Sequence, residues 1–248
     1  MRTLRQSLRG FAPLALRQAV AHRHRVFRDW RDRVRFDRDR VEDLSGLHLV
    51  TGVTQPVMPS ALFENKLANL ANGARHISRT RIAPGGVWSF WNAVGPPTVS
   101  NGFVVGRNLV DGVLTRQVGG GLCQPSSLLY HVGLLAGLTV VERHPHSIDI
   151  YEETDRFTPL GADATVVWGY KDLRLANPHD AEIVFECYVE GRTITARVHA
   201  GRPLPARDVR FVREAAAPSQ VLVTTLVDGA ALDRTVYEQR QGMGLAPA

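Results

Sequence analysis

Cysteine, lysine and long apolar runs are all scarce in this 248-residue chain. Two cysteines, Cys123 and Cys187, are too few for a disulfide framework. No run of about 18 apolar residues occurs, which excludes a conventional membrane-spanning helix. The nearest approach, FAPLALRQAV at 11–20, is interrupted by Arg17 and lacks the apolar core of a secretory signal. The expected location is therefore cytoplasmic. Hydrophobic residues make up 44% and charged residues 22%, which places the chain among globular proteins and not disordered tails. Only Lys66 and Lys171 are lysines, so the basic character rests on arginine. We read that as compositional habit, not phosphate recognition.

The charge is concentrated. Residues 1–40 hold 12 Arg and 4 Asp, a net +8, so in a chain of net +6 the remainder carries −2. Leu16, Val20, Phe27, Trp30 and Val34 fall near one face at helical spacing, with arginines elsewhere. Such a basic amphipathic segment either packs on its own domain or makes peripheral contact with an anionic membrane, here at the inner face. Nucleic acid is the weakest partner class, because the body lacks a basic patch with interleaved aromatics.

The remaining text predicts an α+β fold: N-terminal helices, then an antiparallel β-rich core with a central helix starting at Cys123. A helix is expected over 60–72, capped by Ser60 and stopped by Gly73. Pro84-Gly85-Gly86 and Asp111-Gly112 mark turns between short strands. The central helix ends at Gly137. Strands are then expected over 138–142, 147–151, 163–168 and 173–176, followed by a hairpin over 182–200. Residues 41–200 form the main domain, with a linker over 201–219 and a ribbon around Asp228-Gly229.

Chemistry concentrates between Gly119 and Asp163. Gly119-Gly120-Gly121 leads into Cys123 at a helix N-terminus, where unpaired N–H groups and the macrodipole favour a thiolate. Three glycines also let backbone approach a ligand. His146 is the candidate base and Asp163 the candidate orienting acid, with Asp149 and Asp172 as rivals. His144 competes with His146, while His131 lies about two helical turns from Cys123. Helix, strand and neighbouring strand for Cys, His and Asp would match papain-like and transglutaminase-like enzymes. Cys123, His131, His144 and His146 include zinc ligand types, but their spacing fits no standard site. No metal and no cofactor is expected. Cys187 reads as a structural thiol.

These residues resemble the VanW family. The matching text comprises IAPGG at 82–86, WSF at 88–90, VGP at 94–96, Gly102-Phe103, GGGLCQPS at 119–126, LTVVER at 138–143, His146-Ser147, GADATV at 161–166 and YKDL at 170–173. It covers about half of the chain, over residues 65–200. The resemblance implies a link to the cell envelope and to the glycopeptide response, and supplies no substrate. Short resistance-type members of the family need not carry an acid at the position of Asp163. Asp149 or a backbone carbonyl then remains as the group that orients His146.

The leading expectation is a cysteine hydrolase or acyltransferase acting on an amide or peptide, such as a cell-wall precursor. Cys123 attacks and His146 moves the proton. Gly120, Gly121, Gln124 and Ser126 line the substrate or its oxyanion, and Arg143 holds a substrate carboxylate. The alternative is a non-catalytic module that binds a wall peptide or partner, with Cys123 serving packing.

Overall fold

The computed structural model describes residues 13–110, 113–149 and 156–239. Its helices are α1 (Leu14–Arg31), α2 (Phe63–Ile77), α3 (Phe90–Val94) and α4 (Cys123–Leu135). Its strands are β1 (His48–Pro56), β2 (Arg81–Ile82), β3 (Val87–Ser89), β4 (Val105–Val110), β5 (Val113–Val118), β6 (Thr139–Glu142) and β7 (Ile148–Asp149). They continue with β8 (Arg174–Ala176), β9 (Ile183–Glu190), β10 (Thr193–Ala200), β11 (Val209–Ala217), β12 (Gln220–Val227) and β13 (Ala230–Gln239). The fold is α+β and mostly antiparallel, in the orders β1-β10-β9-β2, β11-β12-β13-β7, β3-β8-β6 and β4-β5.

The core forms around α4. Leu128, Leu129 and Val132 are fully buried, and Pro125, Ser126 and Gly133 are buried with them. A helix apolar on all sides has no solvent face, so it can only be central. It packs against β1 and β10. Trp88, Phe90 and Phe185 fill the space beyond, with Trp88 edge-on to Phe185 at 5.0 Å between ring centres. Gly137, at φ +73°, ends the α4 segment as expected.

Several sequence expectations are corrected. The helix over 60–72 is α2, displaced toward the C-terminus and capped at Leu62. Gly73 lies inside it, because a Cβ there would stand 2.9 Å from a Leu122 methyl. Its smallness serves close packing, not termination. The residues 163–168 form no strand. Ala164 N–H donates to Ser127 Oγ and Thr165 N–H to the His144 carbonyl, so this segment is spent on the start of α4 instead of a sheet ladder. Neither His146 nor Asp163 therefore sits within a strand, and the papain-like strand arrangement is not realised. The expected linker over 201–219 contains β11, which pairs with β12 from Val209↔Val227 onward. The turn at Asp111-Gly112 and the end of the strand expected over 147–151 lie outside the described residues.

α1 is docked by its polar face. Arg25 bonds both carboxylate oxygens of Glu142, at 2.9 and 2.6 Å, and Asp29 accepts two bonds from Arg174. His22 stacks on Trp168 at 4.3 Å. Leu16, Val20, Phe27 and Trp30 point away and are exposed, Trp30 at 73%. This inverts the usual amphipathic arrangement, in which the apolar stripe faces the core. Among the described residues, no helix is long and apolar enough to cross a membrane.

Candidate functional site

Cys123 is the first residue of α4, presented by the loop Gly119-Gly120-Gly121-Leu122. The loop folds this way because backbone crowds it. A Cβ on Gly120 would lie 2.4 Å from the Gly106 carbonyl carbon and 2.6 Å from the Arg107 oxygen. Gly119 and Gly121 hold φ values of +78° and +104°, open to glycine at no steric cost. Buried Asn69 of α2 fixes the loop. Its Nδ2 donates to the Gly120 carbonyl at 2.9 Å and to the Val104 carbonyl at 3.0 Å. The glycine run thus makes room for strand β4 at Gly120, where a ligand approach was expected.

The structure brings Cys123, His146 and Asp163 together. Asp163 Oδ2 accepts from His146 Nδ1 at 2.9 Å and from the His146 backbone N–H at 2.6 Å. An ionised carboxylate only accepts, so Nδ1 carries a proton and Nε2 is left for the sulfur. Cys123 Sγ also lies 3.8 Å from the Val166 carbonyl. Burial pushes the Cys123 thiol up, but its hydrogen bond with His146 and the imidazolium charge outweigh this and hold it below its ordinary value. Burial pulls the other way on His146. Pairing with Asp163 and Cys123 prevails and raises it to about 10. Asp163 is lowered to about 2, since His146 and Arg143 overcome the cost of burial. All three shifts favour a thiolate–imidazolium pair beside an ionised acid. Cys187, buried in β9 next to Glu186, is driven up to about 12 and is inert.

Asp163 is held from the far side by Arg143 and Tyr237. Arg143 bonds Asp163 Oδ1 at 3.0 Å, the Gly161 carbonyl, Asp233, Thr235 and Tyr237. Its side chain is only 5% exposed. These partners use its donors, so it anchors Asp163 and does not face the cavity as a substrate clamp. Tyr237 Oη donates to Asp163 Oδ1 at 2.5 Å.

A cavity of about 230 Å³ opens on Cys123 and His146. Gly121 and Gln124 line it; Gly120 and Ser126 do not. Gly120 is turned to β4, and Ser126 lies wholly within the core. Gln124 Nε2 donates to the Pro56 carbonyl at 2.9 Å, which leaves its Oε1 buried without a partner. In the first turn of α4, Gln124 N–H returns to Gly121, Ser126 N–H returns to Leu122 and Pro125 has none. Among the described residues, the Cys123 N–H has no backbone acceptor.

The rival residues are occupied elsewhere. Asp149 pairs with Arg156 at 2.5 Å. Asp172 accepts from Ser89 Oγ and Trp91 N–H. His144 bonds Glu142, and His131 packs edge-on against Phe211. Among the described residues, no group of three or more His, Cys, Asp or Glu is placed to hold a metal ion. Residues missed in the sequence are Asn69, Lys66, Arg107 and Tyr237. Asn69 carried a local signal, a polar residue between the apolar positions Leu67 and Leu70 of a helix. Tyr237 carried none.

Fold and site together define an α+β protein whose central helix opens with a half-buried Cys–His–Asp constellation. The chain belongs to the family described as VanW like protein, which matches residues 65–199. It is 31% identical to the vancomycin B-type resistance protein VanW of Enterococcus faecalis (strain ATCC 700802 / V583), over 61% of this chain and 57% of that one. It is 30% identical to the uncharacterized protein YoaR of Bacillus subtilis (strain 168), over 62% of this chain and 48% of that one. The chain thus spans about half the length of these curated relatives. No solved structure matches it.

Proposed function

We propose that this protein is a cysteine-dependent acyl-transfer enzyme acting on an amide or peptide of the cell envelope. The observation that carries the chemistry is the Cys123–His146–Asp163 relay at the floor of an open cavity. The envelope assignment rests on its relative, a vancomycin B-type resistance protein.

In this reading the Cys123 thiolate adds to the substrate carbonyl carbon, forming a C–S bond as the π electrons move to oxygen. The Cys123 N–H and the second Nε2 hydrogen of Gln124 face the oxyanion. As oxygen re-forms the carbonyl, the C–N bond breaks and His146 Nε2 gives its proton to the leaving amine. Water or an acceptor amine then attacks the thioester, His146 takes its proton, and the thiolate departs.

The test is the pH dependence of Cys123 alkylation by iodoacetamide, read by mass spectrometry to separate it from Cys187. Fast reaction at pH values below ~8.5, the usual thiol range, supports the reading. In His146→Ala, the main opposition to burial is lost and the apparent thiol pKa rises. A sluggish thiol indifferent to His146 overturns the reading in favour of a binding module.

We also propose that α1 attaches the protein to an anionic lipid surface. Its outward face carries Leu16, Val20, Phe27 and Trp30, flanked by exposed Arg17, Arg23 and Arg28. Aromatic and aliphatic side chains enter the acyl boundary while arginines meet headgroups.

A further inference from the structure

Among the described residues, the charges lining the cavity do not balance. The two carboxylates among them are already paired, Asp149 with Arg156 and Asp163 with Arg143 and His146. Two further cations line the same cavity, Lys66 of α2 and Arg107 of β4. Neither has an ion pair or hydrogen-bond partner among the described residues. They are close enough to repel one another. Burial and the Arg107 charge lower the Lys66 ammonium to about 8.

Both are fixed beside the nucleophile loop. The Lys66 stem lies against Gly121, where a Cβ would stand 3.2 Å from its Cγ. Arg107 extends from the strand whose backbone abuts Gly120. Two like charges held partly buried without a counter-ion cost stability, and an anion placed between them reverses the sign. A point-charge ammonium and a forked guanidinium together suit a group with two or three equivalent oxygens.

We propose that Lys66 and Arg107 form an anion subsite that binds a carboxylate or phosphate group of the substrate beside the carbonyl attacked by Cys123. The inference rests on the acyl-transfer reading and narrows its substrate class to anionic amides or peptides. Arg143, the residue first expected to hold a substrate carboxylate, is fully engaged, and this pair takes that role.

Iodoacetate and iodoacetamide deliver the same alkyl group, but only iodoacetate carries a carboxylate. Their rate ratio at Cys123 is to be compared with the ratio for N-acetylcysteine at equal pH and ionic strength. The proposal expects the protein to favour iodoacetate by about tenfold over that reference, equal to ~1.4 kcal/mol. In Lys66→Gln and in Arg107→Gln the ratio falls toward the reference. Gln keeps the Lys66 stem against Gly121, and the ratio cancels any general effect of lost charge on thiolate content. An unchanged ratio in both variants, or a wild-type ratio equal to the reference, overturns the proposal.

If iodoacetamide finds Cys123 inert, the acyl-transfer reading fails but the subsite is still testable. Acetate and inorganic phosphate are then titrated against the whole protein by NMR. Saturable shifts lost in both variants support the subsite, and the tighter anion identifies the group. No saturable shift with either anion overturns it.

Discussion

Tyr237 Oη donates to Asp163 Oδ1 at 2.5 Å, so β13 reaches across the molecule to the acid that orients His146. The contact joins strand β13, which lies beyond the residues matched by the family, to a constellation within them. β13 is also bound in place by β7, through the parallel pairs Glu238↔Ile148 and Gln239↔Asp149. Strand β7 begins two residues after His146. The same sheet therefore supports both the base and its acid.

Tyr237→Phe removes one donor from an ionised carboxylate without changing shape. A hydrogen bond to a charged group is worth roughly 1.5–3 kcal/mol. The expected loss of unfolding free energy lies in that range, measured by urea denaturation. If Tyr237 also orients Asp163, the pH profile of Cys123 alkylation moves to higher pH in Tyr237→Phe. A purely structural tyrosine lowers stability and leaves that profile in place.

Gly120→Ala tests the reason for the glycine run. The added methyl would meet the Gly106 carbonyl carbon at 2.4 Å and the Arg107 oxygen at 2.6 Å, both backbone atoms that cannot rotate aside. Overpacking of this kind costs about 1–3 kcal/mol where side chains yield, and more against backbone. Folded yield and Tm should drop sharply. A variant of wild-type stability with normal Cys123 reactivity would refute this account.

This contrast shows which features could be read in the sequence. Cys123 was legible as a candidate because its signal is local, a thiol at a helix start after a glycine run, whereas His146 was reached only by the chain's return over one helix and one strand. Gly120 was legible as special but not in purpose, since the strand that crowds it lies more than ten residues upstream. The residues 163–168 alternate like a strand, yet their donors go to Ser127 and His144, a choice fixed only by tertiary packing. Lys66 entered only as one of two lysines in an arginine-rich composition, and Arg107 was not singled out. Nothing local indicated that the carboxylates lining the same cavity are paired with other partners. For α1 the helix was legible, but its inverted orientation depends on Glu142 and Arg174, which are distant in sequence.

Glu142 makes the docking of α1 sensitive to acid. Burial would raise its carboxyl, but His144, Arg25 and Arg174 outweigh this and lower it from 4.5 to about 2. A carboxylate depressed on folding stabilises fully above its unfolded value and loses that contribution as pH falls through the folded value. The window therefore runs from about pH 4.5 down to about 2. The shift corresponds to at most about 3–4 kcal/mol. Urea unfolding of wild type and Glu142→Gln should differ most near pH 6 and converge toward pH 2. A constant difference across that range would remove Glu142 as the cause.

The lipid proposal for α1 follows from what docking leaves exposed. Because Arg25 and Asp29 face the protein, Phe27 and Trp30 are turned outward, at 60% and 73% exposure. Burying a side chain such as Phe27 contributes about 1.5–3 kcal/mol. Phe27→Asp removes that term and adds repulsion from anionic headgroups, so its partition onto anionic vesicles should fall by at least about tenfold. The substitution lies on the exposed face, so Tm should be unchanged. The headgroup contribution is screened over roughly 8 Å at physiological salt, so wild-type co-sedimentation should weaken as salt rises. Neutral vesicles should bind less than anionic ones. Sedimentation indifferent to salt and to Phe27→Asp, or absent altogether, would leave the outward face of α1 without a lipid role.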